Sequence, residues 1–130
     1  MSSEPLADCQ LCPRLAEFRR SNLGAYPDFF NRPVPSFGTE NARLLIVGLA
    51  PGLKGANRTG RPFTGDFAGD LLYQTLLDFG FAIGTYRADP GDGLRLADCM
   101  ITNAVGCVPP QNKPTGEEAA TCRQLSLIHI

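Results

Sequence analysis

Residues 44–66 place the tightest constraint on the fold. The run Leu44-Leu45-Ile46-Val47-Gly48 leads into a loop with glycine at 48, 52, 55, 60 and 65, and a helix-forming stretch opens at Asp66. A continuous apolar run ending in glycine predicts a strand covered on both faces, as in a parallel sheet. From Asp66 to Phe79, the residues Leu71, Leu72, Thr75, Leu76 and Phe79 predict a helix packed on that sheet, and Gly80 follows where a C-cap glycine belongs. After a polar excursion over 84–97, Met100-Ile101-Thr102-Asn103-Ala104-Val105 predicts a second strand. Two strands joined across a helix imply a right-handed crossover in a parallel sheet, which binds ligands beyond its strand C-termini. The glycine-rich loop and Asn103 both lie at that end.

The flanks are less regular. Leu6, Leu11, Leu15 and Phe18 predict a short helix that follows a cysteine-bearing turn, with Pro13 at its start or breaking it. Residues 22–41, rich in Pro, Gly and Asn, read as an irregular loop pinned by Tyr26, Phe29, Phe30 and Phe37. Another helix starts near Thr115. It gives way to Leu125-Ser126-Leu127-Ile128-His129-Ile130, one translated frame of the transposon end used to prepare sequencing libraries. Residues 1–124 are therefore expected to form the N-terminal part of one domain that continues past about Gln124, and 125–130 a non-native tail. The alternative is a natural C-terminus.

The 12 Lys+Arg against 13 Asp+Glu exclude a broad basic footprint, so any nucleic-acid contact must be local. No secretory leader or membrane-length apolar run is present, and we expect a soluble, monomeric cytoplasmic protein without a membrane partner. In a reducing compartment, five cysteines point to a metal rather than to disulfides. The one histidine, His129, leaves little scope for a Cys/His pair or a histidine-rich zinc site.

Cys9-Gln10-Leu11-Cys12 is a C-x2-C pair, and Cys107 and Cys122 form a second, wider pair. Four thiolates can ligate zinc or an iron-sulfur cluster, and the wide second pair favours a cluster over a zinc ribbon. Four unrelated core cysteines are the alternative. Pro13 and Val108-Pro109-Pro110 stiffen the chain beside two of them, and Cys99 reads as a core residue. The glycine-rich loop can offer backbone N–H groups to an anion or a carbonyl, but it contains neither G-K-[ST] nor G-x-G-x-x-G. Phe63 within it suits either base stacking or a simple plug.

Together, Gly48-Leu49-Ala50-Pro51-Gly52, Asn57-Arg58-Thr59-Gly60-Arg61-Pro62-Phe63-Thr64-Gly65-Asp66, Ile101-Thr102-Asn103 and Cys107 before Pro109-Pro110 resemble the uracil-DNA glycosylase superfamily, with the best fit to its type-5 class. The resemblance runs from about Cys9 to Cys122. It implies an α/β three-layer sandwich with a central parallel sheet, incomplete at the C-terminus. It also implies a DNA-repair hydrolase that flips uracil, or another deaminated base, out of DNA and cleaves its N-glycosidic bond.

By this resemblance Cys9, Cys12, Cys107 and Cys122 hold a structural [4Fe-4S] cluster. Phe63 stacks on the flipped base and Asn103 reads its edge. Backbone N–H groups of Gly48, Leu49, Ala50 and Gly52 stabilise the departing uracil anion. Ala50 stands where the type-4 class has a carboxylate, which makes Asn57 the first candidate to position water; Asp66, equally a helix cap, is the second. The superfamily's late histidine motif has no match among residues 1–124, so the 130-residue chain itself is expected to be inactive. Gly106 stands where the class has Lys or Arg, leaving Arg58, Arg61 and Lys113 as candidate contacts to the DNA backbone. A non-enzymatic four-cysteine metal-binding module is the competing reading.

Overall fold

A computed structural model describes residues 5–126. The predicted strands are both present, β2 (Leu44–Gly48) and β5 (Cys99–Asn103), and they pair in parallel from Leu44 opposite Cys99 to Gly48 opposite Asn103. A third strand, β1 (Phe37–Gly38), lies antiparallel on the other side of β5, so the sheet is mixed with order β1-β5-β2. The expectation of a wholly parallel sheet is thereby corrected. β1 is two residues long and sits in the segment read as irregular; its partner residues in β5, Ile101 and Met100, define it. Gly38 is required there, because its φ is +129° and a Cβ would collide with the carbonyl of Cys99.

β5, the central strand, is buried throughout, whereas β2 is half-buried and Val47 is exposed. Burial on both faces, expected for the apolar run Leu44–Gly48, does not hold for β2; it is found in β5 instead. Between the two strands come a short helix α2 (Ala56–Thr59), the main helix α3 (Phe67–Asp78), and a small hairpin of β3 (Ala82–Ile83) and β4 (Arg95–Leu96). Part of the polar excursion is thus sheet.

Asp66 caps α3 by accepting from Gly69 N at 2.9 Å, and Gly80 lies just beyond the helix at φ +81°. The buried face is Gly69, Tyr73 and Leu76; Leu71, Thr75 and Phe79, expected inside, are exposed. Apolar residues surround this helix nearly all the way round, and tertiary partners decide which face goes in. The Tyr73 ring stacks on Tyr86 and meets Phe37 edge-on.

Helix α1 (Pro13–Ala25) begins later than the apolar spacing suggests. Pro13 occupies its first turn, where a missing N–H costs no hydrogen bond, and Leu6 and Leu11 stay exposed. Helix α4 (Gly116–Ser126) opens with a capping box: Glu118 N donates to Thr115 Oγ1 at 3.1 Å and Thr115 N donates to Glu118 Oε1 at 2.8 Å. The same carboxylate takes a fork of bonds from Arg14, tying α4 to the start of α1. Among the described residues, no helix is long and apolar enough to cross a membrane. His129 lies outside the described residues.

Candidate active site

The ends of β2 and β5 bring three of the predicted residues together. Gly48 and Asn103 are register partners, and the carbonyls of Gly48 and Leu49 accept from Ala104 N and Val105 N at 2.8 and 3.0 Å, fixing the loop onto the segment after β5. A Cβ on Gly48 would lie 2.5 Å from Asn103 Oδ1 and 2.8 Å from Phe63 Cζ. The Asn103 amide and the Phe63 ring therefore converge over a backbone position that tolerates no side chain. Phe63 is a non-glycine residue at φ +54°, and Gly69 of α3 comes so close beneath its carbonyl that no Cβ would fit. Of the other predicted loop residues, Leu49 is exposed, Ala50 and Gly52 are half-buried, and the Gly52 carbonyl accepts from Asn57 N at 3.0 Å.

Asn57 is fully buried. Its Nδ2 donates to Asn31 Oδ1 at 2.9 Å, while Asn31 N donates to the Asn57 carbonyl at 3.1 Å. Asn31 spends its own Nδ2 on the Tyr26 carbonyl at 2.8 Å and must turn Oδ1 toward Asn57. That fixes the Asn57 amide with Oδ1 on its other side, where this acceptor is buried with no partner among the described residues. Sequence reasoning missed Asn31; its signal, an asparagine before Arg-Pro in an irregular loop, is too common to stand out. Asp66, the second water candidate, is engaged as the α3 cap.

The cationic candidates divide. Arg58 and Lys113 are exposed, and Arg58 donates to the carbonyls of Lys54 and Gly65. Arg61 is not a surface contact for DNA, as the sequence suggested. It is 5% exposed and grips Asp92 with bonds of 3.0 and 2.8 Å. These bonds hold the Asp92 carboxyl well below the usual carboxylate range. A depressed folded value stabilises the fold at pH above about 4, the unfolded value, and the contribution is lost as pH falls below it. Stability should therefore decline as pH falls below about 4, and Asp92→Asn should flatten that limb of a stability-against-pH curve; an unchanged limb would contradict this role of Asp92.

The four predicted cysteine ligands share one recess. Cys9 and Cys12 come from the turn before α1, Cys107 from the segment after β5 and Cys122 from α4; Leu11, Leu15 and Arg19 help to line it. Arg19, nearly buried, donates to Cys107 Sγ at 3.0 Å and to the Cys9 carbonyl at 2.6 Å, and Gly106 N donates to Cys122 Sγ at 3.3 Å. Gly106 is thus buried beside the recess. Burial pushes the Cys107 thiol up to about 11, and burial together with the neighbouring Cys122 raises Cys12. A cationic group in the recess would oppose both effects. Among the described residues, no three Cys, His, Asp or Glu side chains surround a single-ion position. Cys99 lies in a separate core cluster with Ile101 and Tyr73, as its sequence context suggested.

A strand-loop-helix pocket on a mixed α/β sheet, with a cysteine recess beside it, is the class of protein that the fold defines. Residues 35–129 match the model of the uracil DNA glycosylase superfamily, and the chain belongs to that family. It is 45% identical over 132 residues to a type-5 uracil-DNA glycosylase of Thermus thermophilus, covering 98% of this chain and 60% of the relative. Against a type-5 enzyme of Mycobacterium leprae the identity is 47% over 120 residues, covering 88% and 52%, and against a type-4 enzyme of Thermotoga maritima it is 33% over 129 residues, covering 98% and 53%. The chain spans 60%, 52% and 53% of the lengths of these three relatives.

Proposed function

We propose that the protein to which this chain belongs is a type-5 uracil-DNA glycosylase that extrudes uracil from DNA and hydrolyses its N-glycosidic bond. The observation that carries this reading is the meeting of the Phe63 ring and the Asn103 amide over Gly48. A flat base needs an aromatic face to stack on and an edge partner that both donates and accepts, and a ring and an amide supply them. Uracil leaves as an anion, and backbone N–H groups of the 48–52 loop meet that charge as an oxyanion hole does. Asn57 orients the attacking water through its unpartnered Oδ1, with Asn31 setting the amide's direction. Exposed Arg58 and Lys113 contact the DNA backbone. The sheet forms the middle layer of a three-layer sandwich.

Cys9, Cys12, Cys107 and Cys122 hold a [4Fe-4S] cluster. When bound, it staples the turn before α1, the segment after β5 and α4 together; the bond cleavage is left to the loop residues. The fit rests on the donor set: four thiols on one recess, with N–H donors from Arg19 and Gly106 aimed at two of the sulfurs.

Gly48→Ala tests the pocket. The added methyl would displace both Phe63 and Asn103, so excision from a uracil-containing duplex should fall roughly 100-fold while the thermal midpoint moves by only a few degrees. Retained excision would remove this pocket from the reaction. Asn57→Ala should lower the single-turnover rate by more than it weakens duplex binding, since a water contact acts chiefly in the transition state. A loss confined to binding would contradict the role given to Asn57.

A further inference from the structure

We propose that Arg61 and Asp92 are positioning residues that clamp the loop carrying Phe63, so that its ring is held ready over Gly48 and Asn103 before a base arrives. The inference rests on the glycosylase reading for its purpose and on separate observations for its geometry.

Phe63 sits at φ +54°, a conformation that an aromatic residue keeps only when its surroundings overdetermine it. Both of its neighbours are pinned. Before it, the Pro62 carbonyl accepts from Tyr73 Oη at 2.5 Å and from Thr64 Oγ1 at 3.1 Å. After it, Thr64 Oγ1 accepts from Arg61 Nε at 2.8 Å, and Thr64 is wholly buried. Arg61 is in turn immobilised from outside the loop. Its fork bonds to Asp92, a residue 31 positions later whose side chain is fully enclosed, and which also accepts from Arg87 N and Leu94 N at 2.9 Å each. The guanidinium lies 5.1, 5.4 and 5.7 Å from the ring centroids of Phe37, Tyr73 and Tyr86.

A planar, delocalised cation can stack on rings and bond bidentately at once, and a lysine ammonium cannot. A buried ion pair of this kind is weak evidence for stability but fixes one geometry among several. What it fixes here is the segment from residue 60 to 65, in which the half-buried Phe63 ring packs against the edge of the core cluster and reaches over Gly48 at the pocket. A loop that had to order itself around each extruded base would lose rate in the chemical step, because positioning would be completed only after binding.

The test uses the complete gene product with 4-fluorophenylalanine incorporated and the Phe63 resonance assigned by Phe63→Leu. Asp92→Asn and Tyr73→Phe keep size and shape while weakening the clamp at two separate points. Each should shift or broaden the Phe63 fluorine signal and lower the single-turnover rate on a uracil-containing duplex by roughly 10- to 100-fold, with duplex affinity changed by less than about threefold. Arg61→Lys, which keeps the charge but not the fork, should fall between Asp92→Asn and the unsubstituted protein. Met100→Ala opens a cavity at a buried strand position that makes none of the clamp's bonds; it should lower the thermal midpoint yet leave the fluorine signal and the rate in place. An unmoved Phe63 signal in both clamp variants, or a rate loss no larger than that of Met100→Ala, would overturn the clamp. If the unsubstituted protein releases no uracil, the glycosylase reading fails instead, and the fluorine signal alone decides whether the clamp exists.

Discussion

Cys107→Ser is expected to yield colourless protein with less than about one iron per chain, where the unsubstituted protein, purified without oxygen, carries about four iron and four sulfide. Cys107 is the most deeply buried of the four proposed ligands, packed in a core cluster with Leu15 and Val105. A hydroxyl is a poorer ligand than a thiolate, and the change also removes the sulfur that accepts from the nearly buried Arg19 guanidinium. Loss of the cluster and loss of that bond act in the same direction, so the thermal midpoint should fall as well. Cys99→Ser is the control, because Cys99 belongs to the other core cluster and its replacement should leave the iron content unchanged. Full iron in Cys107→Ser, or stoichiometric zinc in the unsubstituted protein, would contradict the assignment.

Asn103→Ala should lower uracil excision by roughly 100- to 1000-fold, equivalent to about 2.7–4 kcal/mol of transition-state stabilisation, the usual loss when one positioned donor is removed. Asn103 sits at the C-terminal end of the buried central strand, so its amide is held by the sheet rather than by a mobile loop. Uracil offers adjacent donor and acceptor groups on one edge, and an amide matches both. Asn103→Asp should therefore be impaired too, because a carboxylate only accepts. Single-turnover rates on a uracil-containing duplex check both variants; a rate within a few-fold of the unsubstituted protein in Asn103→Ala would remove this residue from base recognition.

The parts of the site written as continuous local patterns were legible in the sequence. The apolar run closing on Gly48, the glycine spacing that follows and the strand ending in Asn103 each carry their own signal, and the parallel register that joins them follows from one crossover. The C-x2-C turn and the later cysteines were legible for the same reason, although only the fold shows that they share a recess. What escaped depends on distant partners. Phe37-Gly38 becomes a strand only because β5 offers it a free side. The buried face of α3 is chosen by the Tyr73 hydroxyl and its aromatic neighbours, since the helix is apolar on nearly every side. Arg61 reads as a surface cation until Asp92, in a loop that looked merely polar, is seen to enclose it. Asn31 and Asn57 lie 26 residues apart, and neither announces the other.

Removal of uracil from DNA by the protein is read most directly from the identity of the released base. The complete, iron-loaded gene product should be incubated with a duplex carrying one uracil and, separately, with the same duplex carrying thymine, and the small-molecule fraction analysed by mass spectrometry. The account predicts free uracil and a matching abasic site from the first duplex and no free base from the second. Intact uracil-containing DNA after prolonged incubation with protein whose iron content is full would contradict it.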